Sequence, residues 1–357
     1  MTADDAFHPL LLDAVSGRPL GEDAAERAFG LIMEGAATDI QVAAFLTALH
    51  VRGETAPELL GAVRAVRARM AALPTPLPDA IDVCGTGGDG LGTLNVSTAV
   101  AFVLAGLGVP VAKHGNRALS SRSGATDVLA ELGVASDATP DHLARHLRER
   151  GLVFLNAPAH HPAMRHAATV RRGLGFRTLF NLVGPLCNPA RVRRQVVGVF
   201  DPAWLEPVAR TLASLGSTDA WVIHGEINGR SSGADEATLA GPTHVAALEN
   251  GHVSRFSIDP RDAGLQPAPI DAISGGDPAF NAQALRAMLG GARGAYRDTV
   301  LLNAAIGLHV AGHGQITHVG IIQPRALAET VARAAGAIDD GRALAALERA
   351  RGVSVSA

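Results

Sequence analysis

Asp82-Val-Cys-Gly-Thr-Gly-Gly-Asp-Gly-Leu-Gly-Thr-Leu-Asn-Val-Ser-Thr98 sets five glycines within residues 85–92. An apolar run of strand character, Ala80–Cys84, precedes them, and a run of helix character, Ser97–Leu107, follows. Glycine lets a backbone approach a bulky anion and adopt positive φ. The start of the following helix offers free N–H groups and positive dipole potential. Ser97 and Thr98 lie where a hydroxyl caps the helix or meets a phosphate oxygen.

Gly85, Gly87 and Gly90 formally satisfy the dinucleotide fingerprint, which also needs an acidic residue about 20 positions on for the ribose diol. No Asp or Glu occurs between Asp89 and Asp127, and the next strand end reads Lys113-His-Gly-Asn-Arg117. A nicotinamide cofactor is therefore disfavoured. The phosphate loop of nucleoside triphosphatases is excluded, because no Gly-Lys-Ser or Gly-Lys-Thr occurs.

Outward from this stretch the pattern alternates. Strand-like runs at Val109–Lys113, Leu152–Asn156, Gln195–Phe200 and Ala220–His224 are separated by helices at Gly124–Leu132, Pro140 onward and Asp201–Leu215. Alternation of this kind predicts an α/β domain with a mostly parallel central sheet. Two β-prone runs, Thr243–Leu248 and His252–Ile258, flank Asn250-Gly251 and predict an antiparallel hairpin at the sheet edge. Residues 1–72 read as all-helical, with helices at Glu22–Met33, from Thr38 or Asp39 through Leu49, and at Ala56–Met70. Leu73-Pro-Thr-Pro-Leu-Pro78 marks the boundary. The expected fold class is thus α/β: a small helical domain, 1–72, and a larger α/β domain, 79–357.

Ligands of parallel sheets bind beyond the carboxyl ends of the strands. There the glycine loop meets Lys113, Arg117, Ser120, Ser121, Ser123 and Gly124, a set of N–H groups, hydroxyls and cations suited to a ligand with several phosphates. Composition narrows the class further. With 47% hydrophobic and 18% charged residues, the chain builds a sizeable core and is neither disordered nor fibrous. A net charge of −3 and only ten Phe, two Trp and one Tyr argue against a nucleic-acid binder. The acidic start, Met-Thr-Ala-Asp-Asp, is unlike a signal peptide, and the longest uncharged apolar run, Ala99–Ala112, is too short to span a bilayer. Two cysteines, Cys84 and Cys187, make neither a disulfide framework nor a zinc site. A soluble, cytoplasmic protein with no membrane partner is expected.

Several stretches together resemble the anthranilate phosphoribosyltransferase family, nearly end to end. They are Gly85-Thr-Gly-Gly-Asp-Gly90 with Asn95-Val-Ser-Thr98, and Lys113-His-Gly-Asn-Arg117 through Ser123-Gly-Ala-Thr-Asp127. His161-Pro-Ala-Met164, Arg177–Pro189, Arg297-Asp-Thr-Val-Leu-Leu-Asn303 and Gln41–Leu49 add to them. The resemblance implies transfer of phosphoribose from 5-phosphoribosyl 1-diphosphate to the anthranilate amine, releasing pyrophosphate, in tryptophan biosynthesis. It implies a nucleoside-phosphorylase-like fold, with helices around 162–185 joined to the small domain, and a homodimer formed through that domain. By the same resemblance Gly85, Gly87, Gly88, Asp89, Thr93, Asn95, Ser97, Thr98, Lys113 and Ser123 line the phosphoribosyl-diphosphate site. Gly85, Asn116, His161 and Arg171 lie along the anthranilate path. Ser97, Asp235 and Glu236 hold Mg²⁺, two ions per subunit, and no dedicated acid or base is implied.

Read without the resemblance, Asp235-Glu236 in a Gly/Ser-rich loop are two hydrated charges, and His160-His161 before proline is a capping or packing pair. Cys84 reads as an inert core residue. Three features depart from the family: Leu94 where an aromatic residue is common, Leu155-Asn156 in place of a more aromatic segment, and a longer link over 226–234 that could shift the carboxylates. Pyrimidine nucleoside phosphorylases share the outline of Lys113–Arg117, and a nucleoside phosphorylase is the nearest alternative. A non-catalytic nucleic-acid-binding relative, or a transferase acting on a substituted anthranilate, are the others.

Overall fold

The computed structural model describes residues 3–116, 123–136, 138–318 and 320–351. Arg117, Ser120 and Ser121 lie outside the described residues. The chain divides into two compact units, Met1–Ala72 with Ala157–Pro189, and Leu73–Asn156 with Ala190–Ala357.

The first unit is helical: α1 (Ala3–Val15), α2 (Glu22–Met33), α3 (Asp39–Arg52) and α4 (Ala56–Ala68), joined by the returning helix Arg165–Leu174. Between the two candidate caps of α3, Thr38 takes the position. Its hydroxyl accepts from the Gln41 amide at 3.3 Å, and its own amide donates to Gln41 Oε1 at 2.8 Å, a reciprocal capping box. Phe7, Phe29, Phe45 and Phe180 pack edge to face, with ring centroids 5.2–5.7 Å apart. Phe180 belongs to the returning segment, so that segment completes the core started by the first 72 residues.

The second unit carries a seven-stranded sheet of β1 (Ile81–Gly85), β2 (Val111–Gly115), β3 (Leu152–Asn156), β4 (Arg194–Gly198), β5 (Asp219–Gly225), β6 (Thr243–Glu249) and β7 (His252–Ile258). Their spatial order is β3-β2-β1-β4-β5-β6-β7; the first five are parallel and the last two antiparallel. The α/β class read from the alternation is the observed one. The Asn250-Gly251 turn has positive φ at both residues, 51° and 79°, as a tight hairpin between right-twisted strands requires.

Helix α5 (Val96–Gly106) is buried along nearly its whole length, which explains an uncharged sequence with no polar face. It packs between the sheet and the helix Ala295–Val310. Gly307 makes that approach possible, since a Cβ there would lie 2.9 Å from Leu104 Cδ1. Helices α6 (Ala125–Glu131) and α7 (Pro140–Arg150) carry the chain from β2 to β3. From β1 the chain builds outward through β2 and β3, then returns to add β4 on the other side. The strand order therefore reverses between β1 and β4, and the carboxyl ends of those two strands open a crevice. Among the described residues no helix is long and apolar enough to cross a membrane.

Candidate anion and metal site

Gly85 and Gly198 end the two strands of that crevice and are paired in register. The segment bearing Asp235 lies directly over both. A Cβ on Gly85 would come 2.1 Å from Asp235 Oδ2, and one on Gly198 would come 1.6 Å from the Asp235 carbonyl oxygen. Only glycine fits at either strand end.

Beyond Gly85 the loop is left-handed at Gly87, Gly88, Gly90 and Gly92, with φ between 61° and 75°. Both of its ends are pinned. Thr86 N–H donates to the Gly198 carbonyl at 2.9 Å, and Thr86 Oγ1 accepts from the Phe200 amide at 3.2 Å. At the far end Gly275 N–H donates to the Gly92 carbonyl at 2.8 Å, Leu94 N–H donates to the Ile273 carbonyl at 2.9 Å, and Thr93 bridges Ser274. Between these anchors Gly87 N–H donates to Asp235 Oδ2 at 2.6 Å, and Asp89 Oδ1 accepts from the Leu91 amide at 3.1 Å.

The start of α5 closes the same crevice. Asn95 is its N-cap residue but makes no side-chain cap bond. Instead the Ser97 amide donates to Glu236 Oε1 at 3.1 Å. Thr98 Oγ1, one residue on, is buried without a hydrogen-bond partner among the described residues. An orphaned hydroxyl in the first turn of a helix facing a glycine loop suits an anionic ligand.

Asp235 and Glu236 are half-buried, not the hydrated pair their loop composition suggests. Burial raises the Asp235 carboxyl well above its ordinary range, and the negative charges of Asp89 and Glu236 raise it further. Burial pushes Glu236 up to about 7, against the pull of the Lys113 ammonium and the bonds from Ser97. Two carboxyls that hold protons this strongly, with the Asp89 charge acting on both, form a donor set with a deficit of positive charge. Among the described residues no group of three or more His, Cys, Asp or Glu side chains could hold a metal ion by itself. Mg²⁺ needs no such cage: it commonly takes one or two carboxylates and fills its octahedron with water and substrate phosphates. Asp235 and Glu236 fit that role.

The link before the carboxylates closes at its base. Gly225 and Ala234 exchange backbone hydrogen bonds at 2.9 and 2.8 Å; between them the Glu226 and Asn228 amides donate to the Pro242 and Ala240 carbonyls, and the exposed turn at 229–232 brings the chain back. Asn303, on the helix Ala295–Val310, then fixes the residue after Glu236. It accepts from the Ala237 amide at 3.0 Å and donates to the Ala237 carbonyl at 2.8 Å.

Lys113 is buried behind Glu236 on β2 and donates to the Val83 carbonyl at 2.9 Å. Ser123 is buried just before α6, whose cap amide at Gly124 donates to Asp127 Oδ2 at 3.0 Å. Asn116 ends the run that follows β2, and its carbonyl accepts from the Thr126 amide at 3.2 Å. His161 and Arg171 belong to the helical unit. Burial drives the His161 imidazole down to about 4, with the neighbouring His160 adding to the effect, so it is neutral near pH 7. The Arg171 guanidinium is also lowered by burial, and its Cζ lies 5.3 Å from the centre of the Phe180 ring. The α/β unit thus brings together Gly85, Gly87, Gly88, Asp89, Thr93, Asn95, Ser97, Thr98, Asp235 and Glu236, with Lys113 behind them. His161 and Arg171 share the other unit.

Residues 77–344 match the model of the glycosyl transferase family a/b domain, and residues 8–70 match that of the glycosyl transferase family helical bundle domain. The chain is 62% identical to the anthranilate phosphoribosyltransferase of Gluconobacter oxydans (strain 621H) over 351 residues, 98% of this chain and 96% of the relative. Its structure is similar to the crystal structure of anthranilate phosphoribosyltransferase from Thermus thermophilus, with a TM-score of 0.86 and 40% identity, covering 96% of this chain and 98% of the other. It is also similar to the Saccharomyces cerevisiae enzyme of that name. The complex with PRPP and Mg gives a TM-score of 0.84 at 27% identity over 97% of each chain. The complex with 4-fluoroanthranilate gives 0.83 at 26% over 98% of this chain and 97% of the other.

Proposed function

The chain belongs to the anthranilate phosphoribosyltransferase family, and on that premise we propose that it transfers the 5-phosphoribosyl group of 5-phosphoribosyl 1-diphosphate (PRPP) to the amine of anthranilate. The products are N-(5-phosphoribosyl)anthranilate and pyrophosphate, a step of tryptophan biosynthesis. One observation carries the reading: a pinned glycine loop, the start of α5 and the half-buried carboxylates Asp235 and Glu236 converge where the strand order reverses. Family membership displaces the nucleoside phosphorylase and nucleic-acid-binding alternatives.

Gly85, Gly87, Gly88, Asp89, Thr93, Asn95, Ser97, Thr98 and Ser123 line the site of the diphosphate and the sugar phosphate. The buried Lys113 supplies positive potential from behind. Asp235 and Glu236, with the Ser97 hydroxyl, hold Mg²⁺, two ions per subunit. Bound there, Mg²⁺ neutralises the charge that gathers on the departing pyrophosphate. For anthranilate the family resemblance assigns Gly85 and Asn116 in the α/β unit and His161 and Arg171 in the helical unit, Arg171 as a planar fork for a carboxylate. His161 is neutral near pH 7 and therefore packs against an aromatic acid without holding a proton. An aromatic amine has its lone pair free at neutral pH, so the protein needs no dedicated base.

The helical unit exposes Leu12, Val15, Ile40 and Val51, apolar groups that suit a homodimer contact. The enzyme is assigned to the cytoplasm. The deciding measurement is loss of anthranilate fluorescence in the presence of PRPP. Consumption that requires both PRPP and Mg²⁺ supports the proposal; no consumption under saturating conditions removes it.

A further inference from the structure

Resting on the PRPP reading of the glycine loop, we infer that Asn281, outside that loop, fixes the hydrogen-bond polarity of Asn95. The lock makes Asn95 offer its amide NH₂, and not its carbonyl oxygen, to the anionic ligand. Asn281 lies on the helix Pro278–Leu289 and is 2% exposed. The Gly276 backbone amide donates to Asn281 Oδ1 at 2.8 Å. A backbone N–H can only donate, so the Asn281 atom facing it must be oxygen. The Asn281 NH₂ then has one direction left, and it meets Asn95 at 2.9 Å. An NH₂ also only donates, so the Asn95 atom it meets must be Oδ1.

The backbone carbonyl of Asn95 is taken as well, accepting from the Tyr296 hydroxyl at 3.1 Å. What remains is the Asn95 side-chain NH₂, which no described residue engages. An asparagine at an N-cap ordinarily turns its oxygen onto the helix amides. Here that oxygen is held by Asn281, and the Ser97 amide goes to Glu236. An unheld amide can flip and present a lone pair to a phosphate oxygen, which repels it. A held one is pre-organised as a donor. Asn281 is thus a positioning residue that acts through Asn95.

The test is a double-mutant cycle read by calorimetric titration with PRPP, and with inorganic pyrophosphate as a second probe. Asn95→Ala weakens binding about tenfold, the loss of one hydrogen bond to a charged group. Asn281→Leu in the native background weakens it by about the same factor, with KM for PRPP rising and kcat at saturating PRPP held. In the Asn95→Ala background Asn281→Leu has no further effect. Equal losses in both backgrounds, or full binding by Asn95→Ala, overturn the inference while leaving the PRPP reading in place. Native protein that takes up no PRPP overturns the reading itself. Should Asn281→Leu fail to fold, Asn281→Asp keeps an acceptor for Gly276. Its added charge acts in both backgrounds, so an excess loss only where Asn95 is present supports the lock, and equal losses sink it.

Discussion

Gly85 and Gly198 face each other across adjacent parallel strands, and both give up the space of a side chain to one residue, Asp235. Gly198→Ala therefore drives a methyl group into the Asp235 carbonyl, and the carboxylate segment must lift from the sheet. Turnover is expected to fall by about a hundredfold or more, as misplacement of a reacting group by roughly 1 Å does. Retained far-ultraviolet circular dichroism beside near-native kcat would show that the segment sits elsewhere.

Asp235→Asn combined with Glu236→Gln removes two half-buried carboxylates whose proton affinity is raised by burial and by neighbouring negative charge. On the proposed metal role the amides would no longer hold Mg²⁺, and they also remove a repulsion from the folded state. Magnesium-dependent turnover should fall by at least about a hundredfold, while the midpoint of thermal unfolding without Mg²⁺ stays level or rises. A marked drop in that midpoint would mean that the pair stabilises the fold.

Burial holds His161 at about 4 in the folded chain, against an ordinary value of 6.5. The unfolded chain then binds the proton first as pH falls, so this residue's contribution is intact above 6.5. It is lost progressively between 6.5 and 4. The full difference is about 3 kcal/mol at one pK unit per 1.36 kcal/mol. His161→Gln should flatten the decline of urea stability between pH 7 and pH 4.5 relative to the native chain. Parallel pH profiles for the two proteins would remove His161 from the account.

Arg171→Ala should raise KM for anthranilate by about ten- to a hundredfold, the range of a charged hydrogen-bonding pair, and leave the dissociation constant of PRPP nearly unchanged. The guanidinium already rests beside Phe180, so truncation also costs some packing in the helical unit. Equal losses for both substrates would contradict its assignment to the acceptor.

The strands and the glycine loop were legible in the sequence because their signals are local. Alternating apolar runs mark a parallel sheet, and five glycines before a helix have few other uses. Gly198 carried a weaker mark, a glycine inside Gln195-Val-Val-Gly-Val-Phe200, which by itself reads only as a strand defect. Its meaning depends on Asp235, 37 positions later. Asn281 carries no mark in the sequence, and Asn303 figures there only as the end of a family-like stretch. Each is one polar residue on an otherwise ordinary helix, and its work is done on groups of distant segments. The closure of the 226–234 link was not legible either, because the Gly225–Ala234 bonds use main-chain groups that any sequence possesses. Thr38 and Asp39 were equivalent as caps on paper; the Gln41 side chain three residues beyond Thr38 decides between them.

That closure also makes the protruding link a natural grafting point. Residues 229–232 are exposed, and the two hydrogen bonds between Gly225 and Ala234 close the link below them. A peptide epitope or a fluorophore-bearing insert between Gly229 and Arg230 would ride on the outside of the molecule, as a handle that can be changed while the machinery below it keeps its shape.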